Sequence, residues 1–232
     1  MQFVIAGLKK TSLLDYPEKI SAIVFTKGCN FKCGYCHNPQ LLENNSKNDS
    51  ISIESFFEFL NTRKGKLDGV VITGGEPTLQ KDLKLFIEKI KSLGFLVKLD
   101  TNGSNPNIVE DLIKNNLVDY IAMDIKAPLN KYSSIINKDI DTDKIEKSIE
   151  IIMQSGIDYE FRTTVLKSQI SREDFNEIGK LIKGAKKYYL QKFEVKTDIL
   201  DSSLINEKTY TNEEFYEIIS LLRNYIENVN LR

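Results

Sequence analysis

Outside residues 25 to 42 this sequence has no cysteine and no histidine. That one stretch, FTKGCNFKCGYCHNPQLL, holds Cys29, Cys33, Cys36 and the single His37. Three thiols within eight residues, an odd number, argue against a disulfide framework. Clustered reduced thiols are more often ligands or catalysts than cross-links. Charge of one sign is missing too, because 32 Lys and Arg face 33 Asp and Glu. No broad field therefore draws phosphate backbones or anionic lipid, and nucleic acid is not an expected partner. Long apolar runs are absent: none approaches the ~20 residues of a membrane span, so no membrane is expected either. The opening MQFVIAGLKKTSLLDYPEK lacks the order of a secretory signal. Its apolar stretch is short, its lysines follow that stretch, and no small-residue cleavage site stands out. The expected compartment is the cytoplasm.

What is present is ordinary in bulk. A chain of 232 residues buries roughly 70–75% of the surface its unfolded form exposes, and a single domain over 1–232 is expected. Runs rich in β-branched or aromatic residues recur at Ile20–Thr26, Gly69–Thr73, Phe95–Thr101, Val118–Ile125, Ile157–Val165 and Tyr188–Val195. Helical spacing lies between and after them, as in Ile53, Phe56, Phe57 and Leu60, or Leu83, Phe86, Ile87 and Ile90. Ile145, Ile149 and Ile152 continue the pattern, then Phe175, Ile178, Leu181 and Ile182. Phe215, Ile218, Ile219 and Leu222 predict a closing helix over about 211–227. Ser171 with Asp174, and Thr211 with Glu214, have capping-box spacing. The polar stretch Glu43–Ser52 reads as a surface loop, or a lid over a site.

Six strands alternating with helices predict an α/β fold with a parallel sheet and right-handed crossovers. Periodicity leaves an open doubly wound sheet and a full or partial barrel equally available. In both, chemistry gathers at the C-terminal strand ends. There the sequence places Lys27-Gly28-Cys29, Gly74-Gly75-Glu76-Pro77, Asp100-Thr101-Asn102-Gly103, Asp124-Ile125-Lys126, Arg162-Thr163-Thr164 and Gln191. So many charged groups exceed what turns alone require.

A closed structural zinc site takes four Cys or His ligands. Here Cys36 and His37 are adjacent, which makes it awkward for both to reach one ion. A redox Cys-x-x-Cys reading leaves Cys29 unexplained. Three thiolates on a four-iron cubane would leave one iron open to a ligand. The open cluster is favoured, with zinc and redox chemistry still available at this point.

GCNFKCGYC resembles the Cys-x3-Cys-x2-Cys motif of radical S-adenosylmethionine enzymes, with Tyr35 before the last cysteine. TGGEP at 73–77 looks like that family's second motif. The resemblance spans nearly the whole strand–helix pattern and implies a partial six-stranded (β/α)6 barrel. It implies a four-iron, four-sulfur cluster on Cys29, Cys33 and Cys36, with S-adenosylmethionine chelating the unique iron. One electron would then cleave the sulfonium, releasing methionine and a 5′-deoxyadenosyl radical. Tyr35 would pack near the adenine. The Gly74-Gly75-Glu76-Pro77 turn would face the methionyl ammonium, Gly75 permitting close backbone approach. Asp100, Thr101, Asp124 and Lys126 resemble the DTNG and D-x-K positions of glycyl-radical activating enzymes. Lys126 would serve the methionyl carboxylate or ribose, and the aspartates a monovalent cation or the ribose. Arg162 would pair with the cofactor carboxylate or with Asp124, and Gln191 with the adenine or ribose.

CHNPQLL, preceded by TSLLDYPEKISAIVFTKGCN, resembles the activating proteins of anaerobic ribonucleoside-triphosphate reductases. The implied activity is abstraction of a glycine α-hydrogen on the large reductase subunit, with a flavodoxin- or ferredoxin-type electron donor. His37-Asn38 matches activases of glycyl-radical enzymes, where deazapurine-forming members usually carry Asp-Thr. The pyruvate formate-lyase type of partner and a small-molecule substrate remain alternatives, as does a zinc-binding interaction module. No thiols remain for a further cluster domain, and the chain after the sixth strand suffices only for a loop and a helix. The open side of the barrel is therefore expected to lack a large cover, which suits a peptide loop as substrate.

Overall fold

The computed structural model describes residues 1–42, 50–194 and 199–232. Most of the polar stretch read as a loop or lid, residues 43–49, lies outside the described residues, as does Val195. At the described end of that polar stretch, Ile51 bridges to Ile5 and Ser52 caps a helix by accepting the Ser55 N–H.

Eight strands form one sheet in the order of the chain: β1 (Ile5–Ser12), β2 (Ser21–Thr26), β3 (Gly69–Gly74), β4 (Leu96–Thr101), β5 (Tyr120–Asp124), β6 (Asp158–Val165), β7 (Lys187–Lys192) and β8 (Asn228–Leu231). β1 runs antiparallel to β2, every later neighbour is parallel, and β1 and β8 do not pair with each other. This order decides between the two architectures. A doubly wound sheet reverses its strand order at a switch point; here the order never reverses, so same-handed crossovers put the helices on one face. The fold is a partial, unclosed barrel.

The helices are α1 (Ile53–Asn61), α2 (Leu83–Ser92), α3 (Pro106–Lys114), α4 (Tyr132–Ile136), α5 (Asp143–Gln154), α6 (Arg172–Leu181) and α7 (Asn212–Leu222). Both expected capping boxes are present, at Ser171 with Asp174 and at Thr211 with Glu214. Four elements went unread in the sequence. β1 has an irregular pairing register with bulges that blurs its alternation. α3 shows only Val109 and Leu112 as fully apolar buried positions behind Pro106. α4 has five residues, too few for a period. β8 is four residues long and follows α7, so the closing helix ends at Leu222 and not near 227, and the tail is more than a loop and a helix.

Alternation along the strands separates two faces. Val70, Ile72, Val97, Leu99, Ile121, Met123, Tyr159, Phe161, Tyr188 and Leu190 join the helices in one large core. The other, concave face carries a small apolar cluster of Tyr16, Ile23, Val71 and Tyr120, with Phe25 and Leu96 against it. Toward the C-terminal ends of β4 to β6 that same face turns charged, with Lys98, Asp100, Asp124, Glu160 and Arg162. Lys98 and Glu160 are buried there, and a buried charge must find partners among its own neighbours.

Candidate active site

The strand ends open on a cavity of about 220 Å³. Cys29, Cys33 and Cys36 line it together with Tyr35 and His37. Facing them are Gly74, Gly75 and Glu76 after β3, Asp100 and Thr101 from β4, Asp124 and Lys126 from the end of β5, and Arg162 from β6. Of the fourteen residues assigned from the sequence to the cluster or the cofactor, twelve thus line one cavity; Pro77 is one exception and Gln191 the other. It sits on β7 opposite Thr164, which does line the cavity, while Gln191 itself does not.

The cysteine loop is held from several sides by backbone hydrogen bonds. Gly28 N–H donates to Leu41 O at 2.7 Å and Lys32 N–H to Ile136 O at 2.8 Å. Leu200 N–H donates to Cys36 O at 3.2 Å and Asp201 N–H to Gly34 O at 2.9 Å. Residues just beyond 199 therefore lie across the loop, a small local cover. The Gly-Gly-Glu-Pro turn is fastened to the same loop, with Gly75 N–H on Thr26 O at 3.0 Å and Glu76 N–H on Gly28 O at 2.8 Å. A Cβ on Gly75 would sit 2.0 Å from Gly28 O, and one on Gly74, at φ +123°, would sit 2.3 Å from Thr26 N. A side chain at either glycine of this turn would collide with the chain's own backbone, so the close packing of the two loops requires both.

Glu76 is likewise spent internally. Its fully buried carboxylate accepts from Thr78 N at 3.0 Å, Thr78 Oγ1 at 2.5 Å, Thr101 Oγ1 at 2.8 Å and Asn102 N at 2.7 Å. It ties the turn after β3 to the turn after β4. Asn102, to which the sequence assigned no role of its own, points Nδ2 at Cys29 Sγ (3.9 Å) and at Asn30 Oδ1 (3.0 Å). Phe31 N–H also donates to Cys29 Sγ, at 3.4 Å.

The polar wall is an alternating row of charges. Lys98 Nζ lies 2.5 Å from Asp100, Arg162 Nη1 is 3.2 Å from Asp100, Arg162 Nε is 2.9 Å from Asp124, and Lys126 Nζ is 2.8 Å from Asp124. Arg162 thus meets Asp124, one of the two partners weighed for it, and Asp100 as well. Burial alone would raise both aspartates, yet Arg162, with Lys98 at Asp100 and Lys126 at Asp124, holds them below the usual carboxylate range. Lys126 is held well above the usual lysine range, because Asp124 together with Tyr35 and Cys33 outweighs its burial. Its ammonium stands 5.9 Å from the Tyr35 ring centroid, near enough for a cation–π attraction.

A match to the family model of the radical SAM superfamily covers residues 23–182, more than half of the chain. The chain belongs to the radical SAM superfamily. The "Putative glycyl-radical enzyme activating enzyme" of Methanocaldococcus jannaschii is 35% identical over all of this chain and 97% of its own length. The pyruvate formate-lyase-activating enzyme of Clostridium pasteurianum is 32% identical over 53% of this chain and 52% of its own. Among solved structures, Streptococcus suis SuiB bound to precursor peptide SuiA superposes with a TM-score of 0.64 at 18% identity, which is a likeness of fold. It covers 90% of this chain, and this chain spans about half of that longer one. Within the superfamily, full-length similarity puts the chain with the glycyl-radical enzyme activating enzymes.

A radical SAM protein implies an iron–sulfur cluster and S-adenosylmethionine, and the donor set here fits them. All three cysteines are free of disulfides and reach one cavity. Among the described residues, no three His, Cys, Asp or Glu side chains gather as a single metal ion would require. Zinc demands such a gathering, whereas a cubane takes its thiolates at separate corners. Burial first, with the Glu76 charge, pushes the Cys29 thiol up to about 12 against the pull of the Phe31 N–H and Lys126. Cys33 is also raised, chiefly by burial. Thiolates persist at such a place when a metal centre supplies the positive charge.

Proposed function

We propose that this radical SAM enzyme activates an anaerobic ribonucleoside-triphosphate reductase by generating a glycyl radical on its large subunit. The supporting observation is the cavity itself, where three uncrosslinked thiols face a wall that ends in the Lys126 ammonium. Cys29, Cys33 and Cys36 would hold the four-iron, four-sulfur cluster. That cluster, once reduced by a flavodoxin- or ferredoxin-type donor, supplies the electron that cleaves S-adenosylmethionine.

The chain's own residues bind and orient. Lys126 keeps one N–H on Asp124 and offers the others to the methionyl carboxylate. Gly74 and Gly75 bring main-chain atoms to the methionyl ammonium. Tyr35 packs beside the adenine, and Asp100, Thr101 and Asp124 face the ribose. The whole of 1–232 acts as one domain, in the cytoplasm, and the resemblance of CHNPQLL and its flanks favours the reductase as partner.

Similarity to a pyruvate formate-lyase-activating enzyme supports a second partner class. The deciding experiment reconstitutes the cluster anaerobically, adds reductant and S-adenosylmethionine, and presents either a ribonucleotide reductase or a pyruvate formate-lyase large subunit. 5′-Deoxyadenosine is quantified, and the glycyl radical is read by electron paramagnetic resonance. A radical on the reductase alone supports the proposal, and one on the lyase alone replaces it. Zinc binding with no 5′-deoxyadenosine would overturn both.

A further inference from the structure

Each carboxylate oxygen of Asp100 and Asp124 already faces a cation supplied by the chain. Asp100 Oδ1 accepts from Lys98 Nζ at 2.5 Å and its Oδ2 from Arg162 Nη1 at 3.2 Å. Asp124 Oδ1 accepts from Arg162 Nε at 2.9 Å and its Oδ2 from Lys126 Nζ at 2.8 Å. The order is Lys98, Asp100, Arg162, Asp124, Lys126, three positive groups interleaved with two negative ones. Arg162 sits between the aspartates, where a small cation would otherwise bridge them.

Lys98 is the unexpected member. Its side chain is 2% exposed, and lysine is almost never buried this far without a partner. It precedes Asp100 by two residues on β4, so strand alternation puts both on the concave face. The Tyr120 ring lies beside it, its centroid 5.9 Å from Nζ. The Tyr120 hydroxyl in turn donates to Glu160 at 3.0 Å, and Glu160 is clasped by Arg232 at 2.7 and 3.1 Å. Glu160 is thus already matched, which leaves Asp100 as the hydrogen-bonded carboxylate of Lys98.

We infer that Lys98 is a positioning residue of this site, a built-in cation that with Arg162 takes the place of an exchangeable alkali ion between Asp100 and Asp124. Two arguments support it. A hard cation needs several oxygen ligands at once, and here the four aspartate oxygens are all engaged by N–H donors. Adding a further positive charge to a row that already carries an excess of one would be repelled strongly in a poorly solvated place. The monovalent cation that the sequence resemblance allowed at these aspartates does not fit this chain. Lys98 instead holds Asp100, Asp100 helps hold the Arg162 fork, and Arg162 aims Asp124 and through it Lys126 at the cavity. The functional consequence of that last link rests on the proposed cofactor site; the cation argument does not.

The test compares cluster-loaded protein at constant ionic strength in potassium, sodium or choline chloride. Melting temperature is read without S-adenosylmethionine, and dissociation constants with it. Wild type is expected to melt alike in all three salts and to bind S-adenosylmethionine within about twofold in each. Lys98→Met is expected to bind about tenfold or more weakly in choline, having lost one charged partner. Potassium or sodium would restore part of that loss, and Lys98→Arg would stay near wild type. A wild-type melting temperature raised by alkali ions over choline would overturn the inference, as would Lys98→Met matching wild type in choline. If Lys98→Met does not fold, the wild-type salt comparison decides alone. Failure of every form to bind S-adenosylmethionine would strike the proposed function and leave the melting result standing.

Discussion

The Cβ that Gly75 lacks would fall 2.0 Å from the carbonyl oxygen of Gly28, the residue before Cys29. The second motif is therefore a support for the first, and damage to one reaches the other. Gly75→Ala is expected to lose cluster iron together with S-adenosylmethionine binding. Iron content per chain after anaerobic reconstitution measures this, and full iron with lost binding would show that the turn serves the cofactor and not the cysteine loop.

Glu76 joins the turns after β3 and β4 through four accepted hydrogen bonds. Glu76→Ala leaves the main-chain N–H groups of Thr78 and Asn102 buried without that acceptor, at a cost of about 3 kcal/mol. Urea unfolding of the metal-free protein gives the number directly. A loss under about 0.5 kcal/mol, the scale of an ordinary surface change, would mean the turns are held by something else.

Asp100 and Asp124 are more acidic folded than unfolded, so they add stability that is complete above the unfolded value of about 3.9. That stability is lost as pH falls through their depressed folded values. Arg162→Gln removes a large part of the depression. At neutral pH the variant should be less stable by about 3 kcal/mol, and the gap from wild type should narrow steadily below about pH 4. Urea midpoints across that range check the sign. A gap that widens on acidification would show the carboxylates are not what Arg162 stabilises.

With its thiol pushed up to about 12, Cys29 stays protonated in the metal-free protein. At pH 8 its alkylation should be slower than in the urea-unfolded chain by on the order of a thousandfold. Peptide mass spectrometry after iodoacetamide separates Cys29 from its neighbours. Equal folded and unfolded rates would contradict the half-buried placement of this thiol.

Cys29→Ala, Cys33→Ala and Cys36→Ala should each lose the cluster absorbance and the formation of 5′-deoxyadenosine. A variant that keeps both would mark its thiol as a bystander.

The residues that face the cavity were largely legible because the strand ends fix where a parallel sheet does its chemistry, and the cysteine spacing is local. The helices with a clear apolar stripe, α1, α2, α5, α6 and α7, were legible for the same local reason. β1, β8 and α4 were not, since bulges and short lengths leave too few residues to set a period, whereas α3 is as long as α1 and its Ile108, Val109, Leu112 and Ile113 do carry helical spacing. Gln191 was read as a site residue from its place on a strand, yet it stays out of the cavity.

By itself the sequence determined the types of residue at each strand end and the thiol spacing that implies a cluster. Only the tertiary structure decided partnership. Whether Gly75 makes room for a ligand or for Gly28, and whether Asp100 awaits a cation or already holds Lys98, depends on packing between segments distant in the chain and on which face each strand turns inward. Buried charges are settled by those neighbours, because with little water present no other source of compensation is at hand.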